Sequence, residues 1–412
     1  MRIAFLNPSG ELGGAETALL DLLVSLRSAR PEWTLNLIAS AEGPLLTRAA
    51  ELKVPSTPLK FPPSLARLGE WGRRRTASAR VRLGAEIGAA AMPTVRYASR
   101  LKRVLAEINP DIVHTNGLKM HLLGARLHAP HARVVWHLHD YPAARPLTAK
   151  LLLREAHRCA AILANSDSVA TQARQMFGPS PRVHTLYNSV DLARFCPRGP
   201  MLDLDALAHV SPGPPGTLRI GLVGTFARWK GHDVFLDAVA RLRTRHRVRA
   251  YVIGAPIYTT SGSQFTLDEL KQLARAKGIE ESVVFTGRVN DVAPALRRLD
   301  IVIHASVEPE PFGLVIAEAM ACGRPLVVSR AGGAAEIADG ALFHTPGNVQ
   351  ELADRIDQLV DDPELRASLG RSGHDTATRL FSRQRLAETL IPVYESLRLL
   401  AQGRTFESTA RS

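Results

Sequence analysis

The sequence predicts an α/β protein with two parallel-sheet domains. Short apolar runs typical of buried strands alternate with longer helical stretches in both halves of the 412-residue chain. A segment rich in proline and glycine, Cys196–Arg219, separates the two series and has the composition of an interdomain linker. We therefore expect a first domain over residues 1–195, a linker over 196–217 and a second domain from residue 218.

The individual strands are predicted from these apolar runs. Those of the first half are Arg2–Asn7, Leu35–Ala39, Asp111–Thr115, Val134–His139, Ala161–Asn165 and Val183–Tyr187. Those of the second half are Leu218–Val223, Arg249–Ile253, Val283–Thr286, Ile301–Ser306 and Pro325–Ser329. Apolar periodicity predicts helices over 15–26, 232–242, 267–277, 314–322 and 384–400.

A glycine-bearing loop follows the first predicted strand and precedes the first predicted helix. It contains Gly13 and Gly14, and Glu16 falls in the first turn of the helix. Free backbone amides at a helix N-terminus favour anions, so this loop is a candidate phosphate site. The same residues are equally consistent with a tight turn, because short glycine motifs are common.

Polar residues also follow two other predicted strands of the first half. Asn116 ends one strand, and His139 and Asp140 end the next. A histidine at a strand end is a candidate site residue because its side chain titrates near neutral pH. Alternatively, His139 is satisfied by a backbone carbonyl. His114 and His137 lie inside strands, and we expect them to be core residues.

In the second half, charged residues and glycines fall where strands end. The carboxyl ends of parallel strands meet at one edge of a sheet, where ligands bind. Two cations with backbone amides suit a diphosphate, and a carboxylate can accept hydrogen bonds from neighbouring hydroxyls. The residues that converge on this edge are Arg228, Lys230, Glu310, Gly313, Gly332 and Gly333.

The formal net charge of +13 predicts attraction to an anionic partner. Arginines concentrate over Arg67–Arg103, where Arg73, Arg74 and Arg75 precede an alanine-rich helix that we expect to end at Pro93. This stretch is either a solvated basic helix face or a docking surface for an anionic membrane leaflet. Aromatic residues make up 5% of the chain and do not interleave with the arginines, so we expect no nucleic-acid partner.

Several site classes are disfavoured by the sequence. Cys159, Cys196 and Cys322 are odd in number and far apart, which argues against a disulfide framework. No His, Cys and Asp cluster has metal-ligand spacing, so we expect no bound metal. Neither a P-loop nor a GxGxxG motif after the first strand occurs. The start of the chain lacks the pattern of a signal peptide, and we expect a cytoplasmic protein. The docking interpretation of Arg67–Arg103 would place it on the inner face of the cell membrane.

The chain resembles glycosyltransferase family 4, the glycosyl transferases group 1 class, over nearly its whole length. The segments that carry the resemblance are GGAE (13–16), DIVHTN (111–116), HLHD (137–140), ILANSDSVA (162–170), YNSVDLARF (187–195), GTFARWKGHDVFLDA (224–238), VFTGRVNDV (284–292), EPFGLVIAEAMACGRPLV (310–327) and AGGAAEI (331–337). The most specific of them is the E-x7-E pattern of Glu310 and Glu318, which encloses PFG and ends in EAMA.

The resemblance implies the GT-B fold, in which two Rossmann-like domains face each other across a cleft. It implies that the second domain spans 218–382 and that a C-terminal helix, within 383–412, crosses back to the N-terminal domain. It also implies a retaining, metal-independent transfer of a sugar from a UDP- or GDP-type nucleotide sugar to a hydroxyl. No other cofactor is implied. The acceptor would be a saccharide or a lipid-linked molecule in cell-surface polysaccharide or glycolipid synthesis.

By the same resemblance, the second half supplies the donor site. Glu310 would bind sugar hydroxyls near the reacting carbon, Glu318 the ribose, and Lys230 the diphosphate. Family members usually carry arginine five residues before this lysine. That position is Thr225 here, and Arg228 is the expected replacement. The remaining donor residues implied are the backbone amides of Phe312, Gly313 and Leu314, with Arg288 and Val289 beside the base.

The first half would supply the acceptor side. The resemblance implies that Gly13 and Gly14 approach the phosphates and that His139 meets the donor sugar. The acceptor-side candidates are Glu16, Asn116 and Asp140.

Three other interpretations remain open at this point. Glu318 could be a helix residue that pairs with a nearby arginine. The chain could be a different enzyme on the same architecture, such as a sugar-nucleotide epimerase or a phosphorylase, because fold does not fix function. No lysine motif for pyridoxal phosphate supports a phosphorylase. The chain could also be a non-catalytic protein that binds a sugar nucleotide or another anionic ligand.

Overall fold

The structure is a computed structural model that describes residues 1–67, 77–127, 132–256 and 262–401. The chain forms two compact units. The first comprises Met1–Tyr187 and the chain from Leu386 onward, and the second comprises Asn188–Arg385. These boundaries lie close to the predicted ones at residues 195 and 383. The last predicted segment, 383–412, is described as far as residue 401.

Within the described residues, each unit contains one sheet, and all strands of that sheet are parallel. The strands of the first unit are β1 (Arg2–Asn7), β2 (Thr34–Ala39), β3 (Ser56–Pro58), β4 (Ile112–Asn116), β5 (Arg133–Leu138), β6 (Ala161–Ala164) and β7 (Arg182–Thr185). Those of the second are β8 (Leu218–Val223), β9 (Val248–Ile253), β10 (Val283–Gly287), β11 (Ile301–His304), β12 (Leu326–Ser329) and β13 (Ala341–His344).

Helices connect successive strands. Those that begin in the first half are α1 (Gly14–Ala29), α2 (Pro44–Glu51), α3 (Pro63–Arg67), α4 (Ala77–Ile108), α5 (Leu118–Arg126), α6 (Pro146–Glu155) and α7 (Asp167–Phe177). The others are α8 (Leu204–Leu207), α9 (His232–Arg241), α10 (Leu267–Ala276), α11 (Val292–Arg298), α12 (Leu314–Ala321), α13 (Gly332–Ile337), α14 (Val349–Asp361), α15 (Pro363–Leu380) and α16 (Arg383–Ala401).

Both sheets reverse their strand order at one internal point. The order is β3-β2-β1-β4-β5-β6-β7 in the first unit and β10-β9-β8-β11-β12-β13 in the second. The chain therefore moves outward from β1 and β8 in one direction and later returns to the other side, at β4 and β11. Loops diverge at such a reversal and leave a crevice beyond the carboxyl ends of the strands. The residues that follow β1, β4, β8 and β11 are thus the best placed to bind a ligand.

Apolar side chains cover both faces of the first sheet. On one face, Leu22 of α1 and Leu390 of α16 join the core of β1 and β2. On the other, residues of α4, α5, α6 and α7 form a second cluster that includes Leu101 and Phe177. Because α16 contributes Leu390 and Tyr394 to this core, the C-terminal helix is an integral part of the first unit.

Helix α4 continues through Pro93, so the expectation that the helix ends there is wrong. A proline removes one backbone hydrogen bond and can bend a helix without ending it. Tyr97, Leu101 and Leu105 follow at a spacing of four residues and are all buried, so packing on the sheet stabilises this half of the helix. Residues 68–76, which include the predicted arginine cluster, lie outside the described residues.

The segment predicted as a linker, 196–217, packs onto the second unit. Asp205 is buried and accepts hydrogen bonds from Arg249 Nη1 at 3.0 Å and from the hydroxyl of Tyr251 at 2.8 Å. A buried carboxylate needs such partners because an isolated charge is costly to desolvate. This segment, although rich in proline and glycine, therefore packs along the second unit in a fixed, irregular conformation.

A close backbone approach fixes the loop after β8 in the second unit. Residues Arg228–Lys230 form a short 3-10 turn, and Gly231 follows with φ of +70°. A Cβ built on Gly231 would lie 2.0 Å from the carbonyl oxygen of Ala305, just beyond β11. Only glycine fits here, and the contact places the turn beside the end of β11.

Gly231→Ala is expected to destabilise the second unit more than Gly278→Ala does. Both glycines have positive φ, +70° and +64°, so alanine costs about 1 kcal/mol at either position. A Cβ at Gly278 meets nothing within 4 Å, whereas one at Gly231 overlaps Ala305. We expect Gly231→Ala to lower the free energy of unfolding by about 3 kcal/mol in denaturant melts. Equal losses for the two variants would contradict the close approach.

Candidate functional site

An ion pair lies at the strand-order reversal of the second unit. The Lys230 Nζ atom, on the turn after β8, donates to Glu310 Oε1 at 2.6 Å. Glu310 follows β11, and the side chains of Lys230 and Glu310 are 15% and 10% exposed. The ammonium group also lies 4.3 Å from the centre of the Trp229 ring. The structure therefore brings together the two residues expected at the diphosphate and at the sugar.

The second carboxylate oxygen of Glu310 is held by two further side chains. His304 Nε2 lies 2.7 Å and Ser306 Oγ 3.0 Å from Glu310 Oε2. His304 Nε2 and Ser306 Oγ are themselves 3.0 Å apart, so the three groups form a small triangle. Both oxygens of the carboxylate thus have hydrogen-bond donors.

These partners keep Glu310 ionised despite its burial. Desolvation by burial tends to raise the pKa of the carboxyl group. The Lys230 ammonium and the hydrogen bond from His304 act in the opposite direction and outweigh it, so the pKa of Glu310 lies well below its ordinary value. The group is therefore a carboxylate at neutral pH and a strong hydrogen-bond acceptor.

Backbone groups complete this edge of the second sheet. Glu310 forms an isolated parallel bridge with Gly332, and its carbonyl accepts from Ala334 N at 3.2 Å. Gly333 is the second residue of α13, whose N-terminus therefore lies beside Glu310. Gly313 has φ of +91° and precedes the first turn of α12. The N-terminus of α13 therefore lies beside the backbone of Glu310, and α12 begins four residues after Glu310.

The other predicted residues in or just before α12 are buried or partly buried. Phe312 is 1% exposed and packs against Phe381, with ring centres 5.6 Å apart, so its side chain is a core group. Leu314 begins α12 and, like Glu318 one turn later, is partly buried. Glu318 and Glu310 both belong to the segment that joins β11 to β12.

Arg228 is directed to a different partner from Lys230. Its guanidinium forms an ion pair with Glu269 of α10 at 2.8 Å and lies 4.1 Å from the centre of the Phe265 ring. Glu269 also caps α10 through the amide of Thr266 at 2.6 Å. Arg228 is thus held away from Glu310 in this structure, although it shares a turn with Lys230.

Three other predicted donor residues follow strands β8 and β10, which are separated in the sheet by β9. Thr225 follows β8, and its Oγ1 accepts from Ala227 N at 3.3 Å within the same loop. Arg288 and Val289 follow β10, the edge strand of the sheet, and Arg288 is exposed. These positions share the carboxyl edge of the sheet with Glu310.

The glycine loop of the first unit is stabilised by Glu16. The carboxylate of Glu16 accepts from Gly13 N at 3.1 Å and from Asn7 Nδ2 at 3.1 Å. The bond from the N-cap amide to the Glu16 carboxylate is the half of a capping box that a glycine N-cap allows, and α1 begins at Gly14. The bond from Asn7 ties the loop to the end of β1. Glu16, predicted as an acceptor-side residue, therefore holds the loop in shape in this structure.

His139 joins the polar residues at the strand ends of the first unit. His139 Nε2 lies 3.2 Å from Asn116 Oδ1, and the carbonyl of His139 accepts from Asn165 Nδ2 at 3.4 Å. Desolvation by the surrounding protein lowers the pKa of His139 to about 4. Its imidazole is therefore neutral at pH 7. Asp140 is exposed beside it.

His114 and His137 form a buried chain with Tyr394 of α16. The tyrosine hydroxyl lies 2.5 Å from His114 Nδ1, and His114 Nε2 lies 3.2 Å from His137 Nδ1. Burial lowers the pKa of His114 to about 3 and that of His137 well below its ordinary value. Both are neutral core groups, and they tie the C-terminal helix to the sheet.

Sequence reasoning missed four polar residues of these sites. His304 and Ser306 contact Glu310, while Asn7 and Asn165 support the first unit's strand ends. Each is one of the last three residues of a predicted strand. That position was the available signal, and His304 and Ser306 also share one face through the two-residue period of a strand. Among the described residues, no group of His, Cys, Asp and Glu is placed to hold a metal ion.

Two family models match consecutive parts of the chain. The model described as Glycosyltransferase Family 4 matches residues 12–194, and the model described as Glycosyl transferases group 1 matches residues 217–362. The second match includes Lys230, Glu310 and Glu318. Together the two matches span most of both units.

Curated relatives align over part of their lengths. The chain is 34% identical to D-inositol 3-phosphate glycosyltransferase 2 of Catenulispora acidiphila over 233 residues, which are 53% of this chain and 52% of the relative. It is 25% identical to N-acetyl-alpha-D-glucosaminyl L-malate synthase of Bacillus anthracis over 72% of this chain and 77% of that protein. The chain thus spans about half the length of the first of these relatives.

Solved structures share the fold over nearly the whole chain. HepE of Anabaena, crystallised with UDP-glucose, superposes with a TM-score of 0.78 and 26% identity over 96% of this chain and 100% of that protein. Sucrose-phosphate synthase of Thermosynechococcus elongatus superposes with a TM-score of 0.76 at 18% identity over 96% of this chain, which shows the fold alone. The predicted GT-B class of two Rossmann-like units is confirmed, and the chain belongs to glycosyltransferase family 4, the glycosyl transferases group 1 class.

Proposed function

We propose that this protein is a retaining, metal-independent glycosyltransferase that moves a sugar from a nucleotide-diphosphate sugar to a hydroxyl acceptor. The Lys230–Glu310 pair at the strand-order reversal of the second unit is the main support. It combines a cation for a diphosphate with a carboxylate for sugar hydroxyls. The similarity to HepE, whose complexes contain UDP and UDP-glucose, supports a nucleotide sugar as the donor.

Lys230 is the group that stabilises the leaving diphosphate in this proposal. Negative charge grows on the diphosphate as the bond to the sugar breaks, and a fixed cation lowers the energy of that state. Backbone amides near Gly332 and Gly313 add donors without any charge of their own. In such a site an ammonium group can supply the positive charge that a divalent metal supplies elsewhere.

Glu310 binds the sugar and Glu318 the ribose in the same proposal. A carboxylate accepts two hydrogen bonds from vicinal hydroxyls, which orients the ring. Because Glu310 is ionised, it also favours positive charge that develops on the sugar ring in the transition state. We assign the nucleotide sugar to the second unit and the acceptor to the first, where His139 and Asn116 end neighbouring strands.

The acceptor is proposed to be a saccharide or lipid-linked hydroxyl of cell-surface polysaccharide or glycolipid synthesis. This proposal extends to docking on the cytoplasmic face of an anionic membrane. Within the described part of the first unit, Met92 and Val95 of α4 and Leu147 and Leu151 of α6 are exposed. Basic side chains flank them: Arg96 and Arg100 on α4, and Lys150 and Arg154 on α6. Exposed apolar groups bordered by cations fit an anionic leaflet. No helix in the described residues is both long and apolar enough to span a bilayer.

A sugar-nucleotide epimerase is the second candidate function. The same donor site would serve it, because Lys230 and Glu310 contact only the nucleotide sugar in either scheme. An epimerase converts the donor without an acceptor, whereas a transferase releases nucleotide diphosphate in proportion to an added acceptor. Product analysis with and without saccharide acceptors therefore separates the two candidates.

Lys230→Met is expected to weaken nucleotide diphosphate binding more than Arg228→Met does. Lys230 faces Glu310, whereas Arg228 is engaged with Glu269. A hydrogen bond to a charged group is worth about 1.5–3 kcal/mol, so we expect a loss of about tenfold or more in UDP or GDP affinity for Lys230→Met. Calorimetric titration of both variants with UDP, GDP and the matching monophosphates measures this loss of affinity. The monophosphates should bind both variants alike.

A larger loss for Arg228→Met would identify Arg228 as the diphosphate cation that replaces the family arginine absent at Thr225. Failure of the unmodified protein to bind any nucleotide diphosphate or nucleotide sugar would contradict the proposed function.

The paired substitutions Leu147→Ser and Leu151→Ser are expected to reduce binding to vesicles that contain phosphatidylglycerol. Each exposed leucine contributes about 1–2 kcal/mol when buried in the interface, so vesicle affinity should fall at least tenfold in co-sedimentation. The control pair, Met201→Ser and Leu207→Ser, changes exposed apolar side chains of the second unit and should bind normally. Equal binding by all three proteins would contradict this surface.

A further inference from the structure

We propose that His304, assisted by Ser306, is a positioning residue for Glu310. It fixes one carboxylate oxygen so that the other is free to exchange between Lys230 and a hydroxyl of the donor sugar. The inference rests on the proposed function, because the donor sugar is the ligand that Glu310 would meet. His304 itself would touch neither sugar nor diphosphate.

The local strand geometry aims both residues at the same oxygen. His304 is the last residue of β11 and Ser306 lies two positions further on. Their side chains lie on the same side of the chain, because His304 Nε2 and Ser306 Oγ are 3.0 Å apart. Both atoms lie close to Glu310 Oε2, at 2.7 Å for His304 Nε2 and 3.0 Å for Ser306 Oγ. The intervening Ala305 is buried in the core on the other side of the chain.

His304 is well placed to act as a fixed donor. Its side chain is 3% exposed, and among the described residues its Nδ1 atom has no hydrogen-bond partner. The proton therefore belongs on Nε2, where it is donated to Glu310. The backbone is held as well, since the carbonyl of His304 accepts from His344 Nε2 at 3.2 Å and that of Ser306 accepts from Ser329 Oγ at 2.6 Å.

The two oxygens of Glu310 therefore differ in how easily they change partner. Oε2 is held by two buried side chains, one at the end of β11 and one just beyond it, whereas Oε1 is held by a lysine with a flexible stem and three donors. A ligand can replace the ammonium at Oε1, or share it, without disturbing Oε2. With Oε2 fixed, the carboxylate cannot rotate to follow Lys230 toward the diphosphate, and Oε1 stays directed at the sugar.

This arrangement predicts a loss that is specific for the sugar. If His304 only fills space in the core, its removal should weaken UDP and UDP-glucose to the same extent. If it positions Glu310, UDP should bind almost normally, because the nucleotide does not contact Glu310. The difference between the two ligands is thus the informative quantity.

The experiment compares UDP and UDP-glucose by calorimetry for His304→Leu, His304→Gln and Ser306→Ala. We expect His304→Leu to bind UDP within twofold of the unmodified protein and UDP-glucose about tenfold more weakly. His304→Gln keeps an amide donor near the same place and should recover most of the loss. Ser306→Ala should show a smaller loss of the same kind. His374→Gln changes a partly buried histidine of the second unit whose hydrogen bond goes to the carbonyl of Ala321, and it should bind both ligands normally.

Equal losses for both ligands, or no recovery in His304→Gln, would overturn the inference. If the unmodified protein binds neither ligand, and neither GDP nor GDP-mannose, the proposed function fails, and a ligand-free measurement decides about His304. The carboxyl carbon signal of Glu310, assigned by its absence in Glu310→Gln, should start to titrate at higher pH in His304→Leu than in the unmodified protein. Identical titration in the two proteins would show that His304 does not hold Glu310.

Discussion

The reversal of strand order in each parallel sheet is the constraint on which both candidate sites depend. Strands β8 and β11 are neighbours in the sheet but are separated in sequence by two other strands. Their loops diverge above the same edge, and this topology brings Lys230 within 2.6 Å of Glu310 across a separation of eighty positions. In the first unit the same arrangement of β1 and β4 places the glycine loop beside Asn116. Neither site could form from a contiguous stretch of chain.

Close packing then fixes the positions of the Lys230 and Glu310 side chains. Gly231 lets the turn that carries Lys230 approach the backbone of Ala305. The carboxylate of Glu310 lies between Lys230 and the side chains of His304 and Ser306. The ion pair is mostly buried, so its charges interact more strongly than surface charges would. Burial also carries a desolvation cost, which several donors offset in this case. The buried ion pair is therefore stable only when all of its hydrogen-bond partners are in place.

Much of the fold could be predicted from the sequence because its strands are buried on both faces. Such strands are short continuous apolar runs, and β8 has the predicted boundaries at both ends. Strand β3 consists of Ser, Thr and Pro. It was not predicted, because three residues are too few to show the alternation of polar and apolar side chains that marks a strand. Helix α4 was predicted to end at Pro93, because local propensity gives no information about the tertiary packing of Tyr97 and Leu101.

The candidate site was predictable as a set of positions but only partly as a set of contacts. Motif spacing identified Lys230 and Glu310, and the structure brings them together. The partner of Arg228 could not be foreseen, because Glu269 lies on a different helix and meets the arginine only in three dimensions. The role of Glu16 in capping α1 was likewise hidden, although its position three residues after Gly13 is typical of a capping box.

Because Glu310 neutralises the charge of Lys230, the pair influences which anions can bind at this edge of the sheet. A lysine without a partner at this edge would attract inorganic phosphate, sulfate and free nucleotides alike. With Glu310 already bound to it, the site carries little net charge and offers small anions only a weak advantage over water. A molecule that brings hydroxyls for the carboxylate together with phosphates for the ammonium can replace both halves of the pair at once. In the proposed donor site, the resting ion pair would thus act as a filter that favours a complete nucleotide sugar over its fragments.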